Sequence, residues 1–387
     1  MIAFSSKPIP NPTVLTLIAV LLAGASSPRA ADAQDLGPAK LYVTVVVDQL
    51  RQDVLERYAP ALTGGLRRLL DDGYRFTQAS HAHARTSTAP GHATLTTGVV
   101  PARHGVVANS WQQRRGFRWE TMYAVADPDS PILGYEREEA LEGRSPATML
   151  REGLPDWFAA ADEDSRRVSI SKKDRAAVPM GGQRTEHVYW ILPELGRFIT
   201  SRYYRDDYPD WVERFNREVM PGILEPQIWD TEVPEDQRGL ARQDEAPYEG
   251  DGIHTVFPHV SGDENARYIE DPSNAALVQA VHNLWGLDQP RADDAVLGLA
   301  KVAIDELELG QRDETDYLAL SFSATDRVGH GYGPFSQEVL STIIHLDRLL
   351  GELFDYLDEE VGEGRWTVGL TSDHGVVTMP EYAREQG

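Results

Sequence analysis

Residues 41–48 read LYVTVVVD, a run of apolar, aromatic and β-branched residues that ends in a carboxylate. A nearly continuous run of this kind is typical of a strand that is buried on both faces of a parallel sheet. Shorter runs of similar character occupy residues 167–171 (RVSIS), 317–322 (YLALSF) and 366–371 (WTVGLT). We therefore predict a mostly parallel central sheet that includes residues 41–47.

Helical patterns alternate with these strands. Residues 53–72 are predicted to be helical with a break near Pro60, because proline interrupts a helix interior, and residues 74–79 are predicted to form another strand. Residues 336–357 carry apolar residues at spacings of 4, 3, 4, 3 and 4, which is one face of a long amphipathic helix: Val339, Ile343, Leu346, Leu350, Leu353 and Leu357. Alternating strands and helices predict an α/β fold with helices flanking the sheet.

The N-terminal segment is predicted to direct export. Residues 14–25 (VLTLIAVLLAGA) form an apolar run too short to span a bilayer comfortably, and residues 31–33 (ADA) fit the small-x-small cleavage rule. We predict a signal peptide at residues 1–33, with an uncleaved anchor as the alternative. The mature protein, residues 34–387, is then periplasmic or secreted and has no membrane association. Part of residues 110–310, where periodicity is weaker, is predicted to be an inserted cap.

Charge and cysteine content exclude several classes of protein. The chain has 61 Asp and Glu against 37 Lys and Arg, a net charge of −24. Such a surface repels phosphate backbones, so we expect neither nonspecific nucleic-acid binding nor docking on anionic membranes. The chain contains no cysteine, which rules out disulfides, cysteine-ligated zinc, iron–sulfur clusters and cysteine nucleophiles.

Carboxylates and histidines collect where the apolar runs end. Asp48 follows the first run, Asp326 and His330 follow YLALSF, and Asp373 and His374 follow WTVGLT. Ligands of open α/β sheets bind beyond the carboxyl ends of the strands. Three Asp and two His suit Zn²⁺, with Mn²⁺ or Mg²⁺ as alternatives, and five ligands favour two adjacent ions, as in phosphoryl transfer. Each of these residues also has a simpler explanation. Asp48 could be a helix cap or a turn residue, Asp326 and His330 could be a surface pair, and Asp373 and His374 could form a turn.

A fourth segment, residues 85–94, reads RTSTAPGHAT. Pro90 suits the first turn of a helix. Thr88 would then lie just before a helix N-terminus, where free N–H groups and the helix dipole favour anions. A hydroxyl at that place could attack phosphorus if a metal lowers its pKa. The alternative is that Ser87 or Thr88 simply caps the helix.

Together these segments resemble the alkaline phosphatase superfamily. More narrowly, the chain resembles its threonine-nucleophile branch, which includes PafA-type phosphate monoesterases and nucleotide pyrophosphatase/phosphodiesterases. The matching strings run in the family's order from about residue 40 to the end: VVVDQLRQDVL, TAPGHATLTTGVVPARHGVVANSW, KKDRAAVPMGG, SFSATDRVGHGYG and TSDHG. The resemblance implies an alkaline-phosphatase-like fold and two zinc ions in a complete active site.

The resemblance also implies roles for individual residues. The first zinc would be held by Asp48, Asp373, His374 and the nucleophile Thr88. The second would be held by Asp326, His330 and a further histidine near the family's C-terminus. Residues 375–387 contain no histidine. We expect either that the chain is truncated before its natural end or that a ligand comes from His254, His259 or elsewhere in the insert.

Three more residues would contact the substrate. Asn109 would hold a nonbridging phosphoryl oxygen, while Lys173 and Arg175 match the pair that contacts monoester oxygens in PafA-type enzymes. His92 and His104 are predicted to be structural. A solvated basic turn is the alternative for the segment KKDR.

The function predicted from the sequence is zinc-dependent hydrolysis of small-molecule phosphate monoesters through a phosphothreonine. Two alternatives remain open: a phosphodiesterase or nucleotide pyrophosphatase with the same metals, and an inactive metal- or phosphate-binding fragment. A sulfatase is disfavoured, because the chain lacks cysteine and has no S-x-P-x-R around Ser87. The sequence does not indicate an oligomeric state.

Overall fold

A computed structural model of the chain describes residues 37–136, 141–225, 228–250, 252–261 and 273–387. Residues Pro38–Gly387 form one compact unit. The signal peptide predicted at residues 1–33 lies outside the described residues. Within the described ranges, no helix combines the length and apolar character needed to cross a membrane.

A six-stranded sheet forms the centre of the fold. The described strands are β1 (Leu41–Val47), β2 (Ser110–Arg115), β3 (Arg118–Tyr123), β4 (Arg167–Ser171), β5 (His187–Leu192), β6 (Arg197–Ile199), β7 (Ile228–Trp229), β8 (His259–Val260), β9 (Asp316–Phe322) and β10 (Trp366–Thr371). The strand order in the large sheet is β10-β1-β9-β4-β5-β6. All pairs in the large sheet are parallel except β5 with β6, which is antiparallel. The pairs β2–β3 and β7–β8 form separate two-stranded sheets.

Helices connect and cover these strands. They are α1 (Gln52–Tyr58), α2 (Gly65–Asp72), α3 (Thr88–Thr97), α4 (Pro101–His104), α5 (Leu154–Ala161), α6 (Asp174–Gly181), α7 (Asp210–Glu218), α8 (Met220–Leu224), α9 (Ala275–Leu287), α10 (Arg291–Glu306), α11 (Ala324–Tyr332), α12 (Gln337–Leu357) and α13 (Pro380–Glu385). The apolar face predicted for α12 is buried, and Ser336 caps this helix by accepting a hydrogen bond from the Val339 N–H (3.1 Å).

Most of the predicted elements are confirmed. The four predicted strands form β1, β4, β9 and β10, and the predicted helix break falls at the short 3₁₀ helix Ala59–Ala61, between α1 and α2. The strand predicted at residues 74–79 is wrong: these residues, all described, form neither strand nor helix. Every side chain of the segment is exposed, so it has no buried face that would pair it with the sheet.

The range in which the cap was predicted, residues 110–310, contributes three strands to the central sheet. β4, β5 and β6 all lie within it, and β4 pairs directly with β9. A cap can therefore comprise only a part of this range. Its extent remains a prediction.

The buried His345 of α12 forms ion pairs with carboxylates from two other segments of the chain. His345 Nδ1 lies 2.5 Å from Glu232 Oε1, and its Nε2 lies 3.1 Å from Asp294 in the first turn of α10. Arg348 lies beside both carboxylates. Burial alone would lower the pKa of His345, but the hydrogen bonds to Asp294 and Glu232 and their charges raise it to about 9. The protonated ring therefore stabilises the fold.

We expect this stabilisation to disappear in alkaline solution. A folded pKa of about 9, above the ordinary 6.5, contributes stability that is complete below pH 6.5 and is lost as the pH rises through 9. The free energy of unfolding of the unchanged protein, relative to His345→Gln, should fall by up to about 3 kcal/mol across that range. Denaturant unfolding at several pH values measures this difference.

His187→Gln is the matched control for this experiment. Burial and the charge of Arg205 lower the pKa of His187 to about 3, so this ring does not titrate above neutral pH. The difference in free energy of unfolding between the unchanged protein and His187→Gln should stay constant over the pH range in which the difference for His345→Gln decreases. A pH-independent difference for His345→Gln would contradict the prediction.

Candidate active site

The strand order brings the predicted ligands together. β10, β1 and β9 are neighbours and run parallel, so their carboxyl ends meet at one edge of the sheet. Asp48 follows β1 directly, Asp326 lies in the first turn of α11 after β9, and residues 373–374 follow β10. Parallel pairing therefore assembles side chains that are more than 320 residues apart in the chain.

The carboxylates and His374 form a compact group. Asp48, Asp326 and His374 each offer one ligand atom, and these atoms all lie within 4.8 Å of one another. His374 Nε2 is 3.2 Å from Asp48 Oδ1 and 3.5 Å from Asp373 Oδ2. His330 Nε2 lies 3.2 Å from Asp326 Oδ1, although 64% of the His330 side chain is exposed. Three of the five predicted Asp and His ligands thus form one group, with Asp373 beside His374 and His330 beside Asp326.

A lysine ammonium lies between two of these carboxylates. Lys173 Nζ donates to Asp48 Oδ2 at 2.5 Å and also to Asp326 Oδ2, and only 4% of its side chain is exposed. Lys173 therefore neutralises part of the charge of both carboxylates. The contact between Lys173 and substrate stays a prediction.

The charges of this cluster shift its pKa values in opposite directions. Burial would raise the pKa of Asp48, but Lys173 and His374 outweigh burial and lower it. Burial, followed by the negative charge of Asp48, raises the pKa of Asp373. Burial would lower the pKa of His374, yet its hydrogen bond to Asp48 and the charge of Asp373 raise it to about 9. Lys173 and the protonated His374 therefore balance part of the negative charge of the carboxylates.

The donor set fits a divalent cation. Asp373 Oδ1 accepts the backbone N–H groups of Gln49 (3.2 Å) and His374 (2.9 Å). Asp48 Oδ1 lies 3.2 Å from His374 Nε2. Asp373 Oδ2 lies 3.2 Å from His92 Nδ1 and 3.5 Å from His374 Nε2. Buried carboxylate oxygens are costly unless they are paired or coordinate a metal. The carboxylates and the His374 imidazole thus supply the oxygen and nitrogen ligands that a divalent transition metal takes.

Helix α3 packs against the same cluster. Gly91 approaches it so closely that an added Cβ would lie 2.4 Å from the Asp373 carbonyl oxygen. His92 Nδ1–H donates to the Thr88 carbonyl oxygen (2.8 Å) and lies 3.2 Å from Asp373 Oδ2, while Nε2 contacts Ser321 Oγ at 2.8 Å. His92 therefore joins the start of α3 to Asp373, which refines its predicted structural role.

Thr88 is the first residue of α3, and Ser87 occupies the N-cap position. Among the described residues, the Ser87 side chain makes no capping hydrogen bond. Instead, Asn109 Oδ1 accepts the Ala89 N–H at 2.8 Å. Because that oxygen is engaged, the Nδ2 group of Asn109 remains to donate to an anion.

Arg175 lies in the first turn of α6, directly after Lys173 and Asp174. Asp174 accepts hydrogen bonds from Tyr123 and Arg144, both at 2.6 Å. Arg175 Nε is buried and has no hydrogen-bond partner within the described ranges. An unpartnered guanidinium N–H near the carboxylate cluster is suited to bind an anion.

The histidines considered as borrowed ligands have other partners. His259 Nε2 lies 3.1 Å from the buried Glu338 Oε1, and His254 Nε2 lies 3.0 Å from the Val260 carbonyl oxygen. Neither joins Asp326 in a group of ligand atoms among the residues that the structure describes. The structure therefore does not support the borrowed-ligand alternative for these two residues.

Sequence reasoning missed Gln49. This residue donates both to Asp373 and, through Nε2 at 2.8 Å, to Asp326 Oδ1. A glutamine that follows an aspartate does not by itself indicate a metal site. Its place in the string VVVDQLRQDVL, which resembles the family, was the observation that could have drawn attention to it.

The sheet and the carboxylate–histidine cluster at its edge define an α/β protein with a candidate metal centre. The profile of the type I phosphodiesterase / nucleotide pyrophosphatase family matches residues 42–386, so the chain belongs to that family.

Two curated relatives and a crystal structure extend this assignment. The chain is 34% identical over 358 residues to alkaline phosphatase PhoV of Synechococcus elongatus, covering 91% of this chain and 62% of PhoV. It is 32% identical over 338 residues to alkaline phosphatase PafA of Elizabethkingia meningoseptica, covering 87% and 60%. The crystal structure of wild-type PafA matches with a TM-score of 0.81 at 30% identity, covering 91% of this chain and 65% of that one.

These comparisons confirm the predicted alkaline-phosphatase-like fold and the resemblance to PafA-type enzymes. The chain spans about three fifths of the length of the two curated relatives.

Proposed function

We propose that the protein is an alkaline phosphatase that hydrolyses phosphate monoesters through a phosphothreonine formed on Thr88. The observation that carries this proposal is the convergence of Asp48, Asp326 and His374, whose ligand atoms lie within 4.8 Å of one another beside α3. The names of the relatives PhoV and PafA support the same reaction.

The candidate ligands are proposed to hold two zinc ions. Asp48, Asp373, His374 and the Thr88 hydroxyl would hold one ion, and Asp326 and His330 would contribute to the other. When bound, zinc lowers the pKa of a hydroxyl or water and stabilises negative charge on a leaving oxygen. The buried carboxylates of Asp48 and Asp326, together with the His374 imidazole, support a divalent cation at this place.

The chain's own residues would carry the reaction in two steps. The N-terminus of α3 attracts an anionic phosphoryl group, and Thr88 Oγ1 forms a bond to phosphorus as the bond to the ester oxygen breaks. The alcohol leaves with a proton. Water then attacks the phosphothreonine, which releases inorganic phosphate and restores the Thr88 hydroxyl. Asn109 Nδ2 would hold a nonbridging oxygen throughout.

Arg175 supports a monoester rather than a diester as substrate. A monoester dianion has one more unesterified oxygen than a diester, and a cationic group can hold it by charge-assisted hydrogen bonds. The guanidinium of Arg175, which follows Lys173 closely at the start of α6, would make this contact. A solved PafA variant carries replacements of one threonine, one asparagine, one lysine and one arginine, the residue types proposed here.

Hydrolysis of phosphodiesters or nucleotide pyrophosphates is the second candidate function. The family profile itself is named for phosphodiesterase and nucleotide pyrophosphatase, and the same metals and Thr88 would serve that reaction. Small-molecule phosphate esters are the substrates in both cases. Export to the periplasm or beyond is proposed from the sequence of residues 1–33.

One experiment distinguishes these functions. An aryl phosphate monoester and the diester of the same phenol are compared by kcat/KM before chelation, after chelation and after zinc is restored, while bound zinc is counted. We expect a monoester preference, loss of both activities on chelation, and recovery with zinc.

Other results would replace the proposal. A preference for the diester would favour the phosphodiesterase. Bound zinc without turnover of either ester would indicate a metal-binding protein, and turnover that survives chelation would refute the metal site.

A further inference from the structure

Gln49 occupies a strained backbone conformation beside the candidate metal centre. Its φ is +69°, and Gln49 and Glu308 are the two non-glycine residues with positive φ among those described. A side chain in this left-handed region is unfavourable because its Cβ crowds the following carbonyl oxygen. Such strain persists where the surrounding structure enforces it, which is often at functional sites.

The strained conformation lets one residue reach two candidate ligands. The Gln49 backbone N–H donates to Asp373 Oδ1 (3.2 Å), and its Nε2 donates to Asp326 Oδ1 (2.8 Å). Only 3% of the residue is exposed. Asp373 belongs to the first proposed zinc site and Asp326 to the second, so Gln49 connects the two sites.

Gly329 makes room for the Gln49 amide. A Cβ added at Gly329 would lie 2.1 Å from Gln49 Oε1, so a larger residue cannot occupy this position unless the amide moves. Gly329 directly precedes His330 on α11. The amide is thus confined between β1 and the helix that carries Asp326 and His330.

We infer that Gln49 is a positioning residue that holds Asp326 and Asp373 at the spacing needed by two metal ions. Its amide orients one carboxylate and its backbone N–H orients the other. This inference rests on the metal site of the proposed function. Groups that orient ligands in this way change metal affinity by about 10- to 100-fold when they are removed.

The test is zinc affinity, measured by competition with a chelating indicator on the folded, metal-free protein. Gln49→Met keeps the side-chain length and the strained backbone but lacks the amide. We expect its zinc affinity to fall by about 10- to 100-fold. Gln49→Gly relieves the backbone strain but also removes the amide, so its zinc affinity should fall by a similar factor.

Gly329→Ala gives a second route to the same result, because it displaces the amide without altering Gln49. Its matched control is Gly239→Ala, since no described atom lies within 4 Å of the added Cβ there. Zinc affinity should fall in the first variant and remain unchanged in the second.

A purely structural role for Gln49 would lower the unfolding temperature of the metal-free variants and leave their zinc affinity unchanged, which would overturn the inference. Failure of the proposed function looks different. Zinc bound tightly by the unchanged protein and weakly by Gln49→Met, with no ester turnover in either, would refute the phosphatase and retain the positioning role.

Discussion

Thr88→Ala should reduce monoester turnover by at least about 10³-fold, because the proposed nucleophile is lost and no phosphothreonine can form. The change removes one hydroxyl and one methyl group at the first position of α3, where alanine is well tolerated. The contacts that hold this helix come from His92 and Asn109 and use backbone atoms. Stability and zinc content should therefore stay near those of the unchanged protein.

Neighbouring hydroxyl groups supply the controls. Thr86→Ala changes an exposed side chain, and Ser87→Ala removes a buried hydroxyl that makes no capping hydrogen bond in the described part of the structure. Both variants should keep most of their activity. A nearly inactive Ser87→Ala together with an active Thr88→Ala would assign the nucleophile to Ser87 instead.

Arg175→Ala should narrow the preference for monoesters over diesters. A charge-assisted hydrogen bond contributes about 1.5–3 kcal/mol, so kcat/KM for the aryl monoester should fall by about 10- to 150-fold. The diester, which lacks the additional unesterified oxygen, should change little. Steady-state kinetics on both substrates measure the ratio, and an equal loss on both would contradict the role of Arg175 in substrate choice.

Arg175 is a better target for this test than Lys173. Lys173 pairs with Asp48 and Asp326, so its removal would leave two buried carboxylates without their cation and would affect metal binding as well as substrate. Arg184→Ala is the matched control, because this arginine is exposed and pairs with Glu152 at 2.5 Å. The control should leave the preference unchanged.

Local sequence patterns were sufficient to predict four strands of the central sheet and the residue types of the candidate metal ligands. The run at residues 41–48 predicted a buried parallel strand that ends in a carboxylate, and β1 and Asp48 confirm it. The rule that parallel strands share a carboxyl edge then predicted that Asp326, Asp373 and His374 would lie nearby. The same reasoning failed at residues 74–79, because a short strand-like pattern does not reveal whether a partner strand exists.

Tertiary structure alone decided the detailed contacts of the site. The pairing of Lys173 with two carboxylates, the use of Asn109 Oδ1 by the start of α3, and the strained Gln49 depend on segments that are far apart in the chain. Periodicity reports which face of an element is buried, but it carries no information about what lies opposite. Strand order and register set those neighbours, and both arise from packing across the whole sheet.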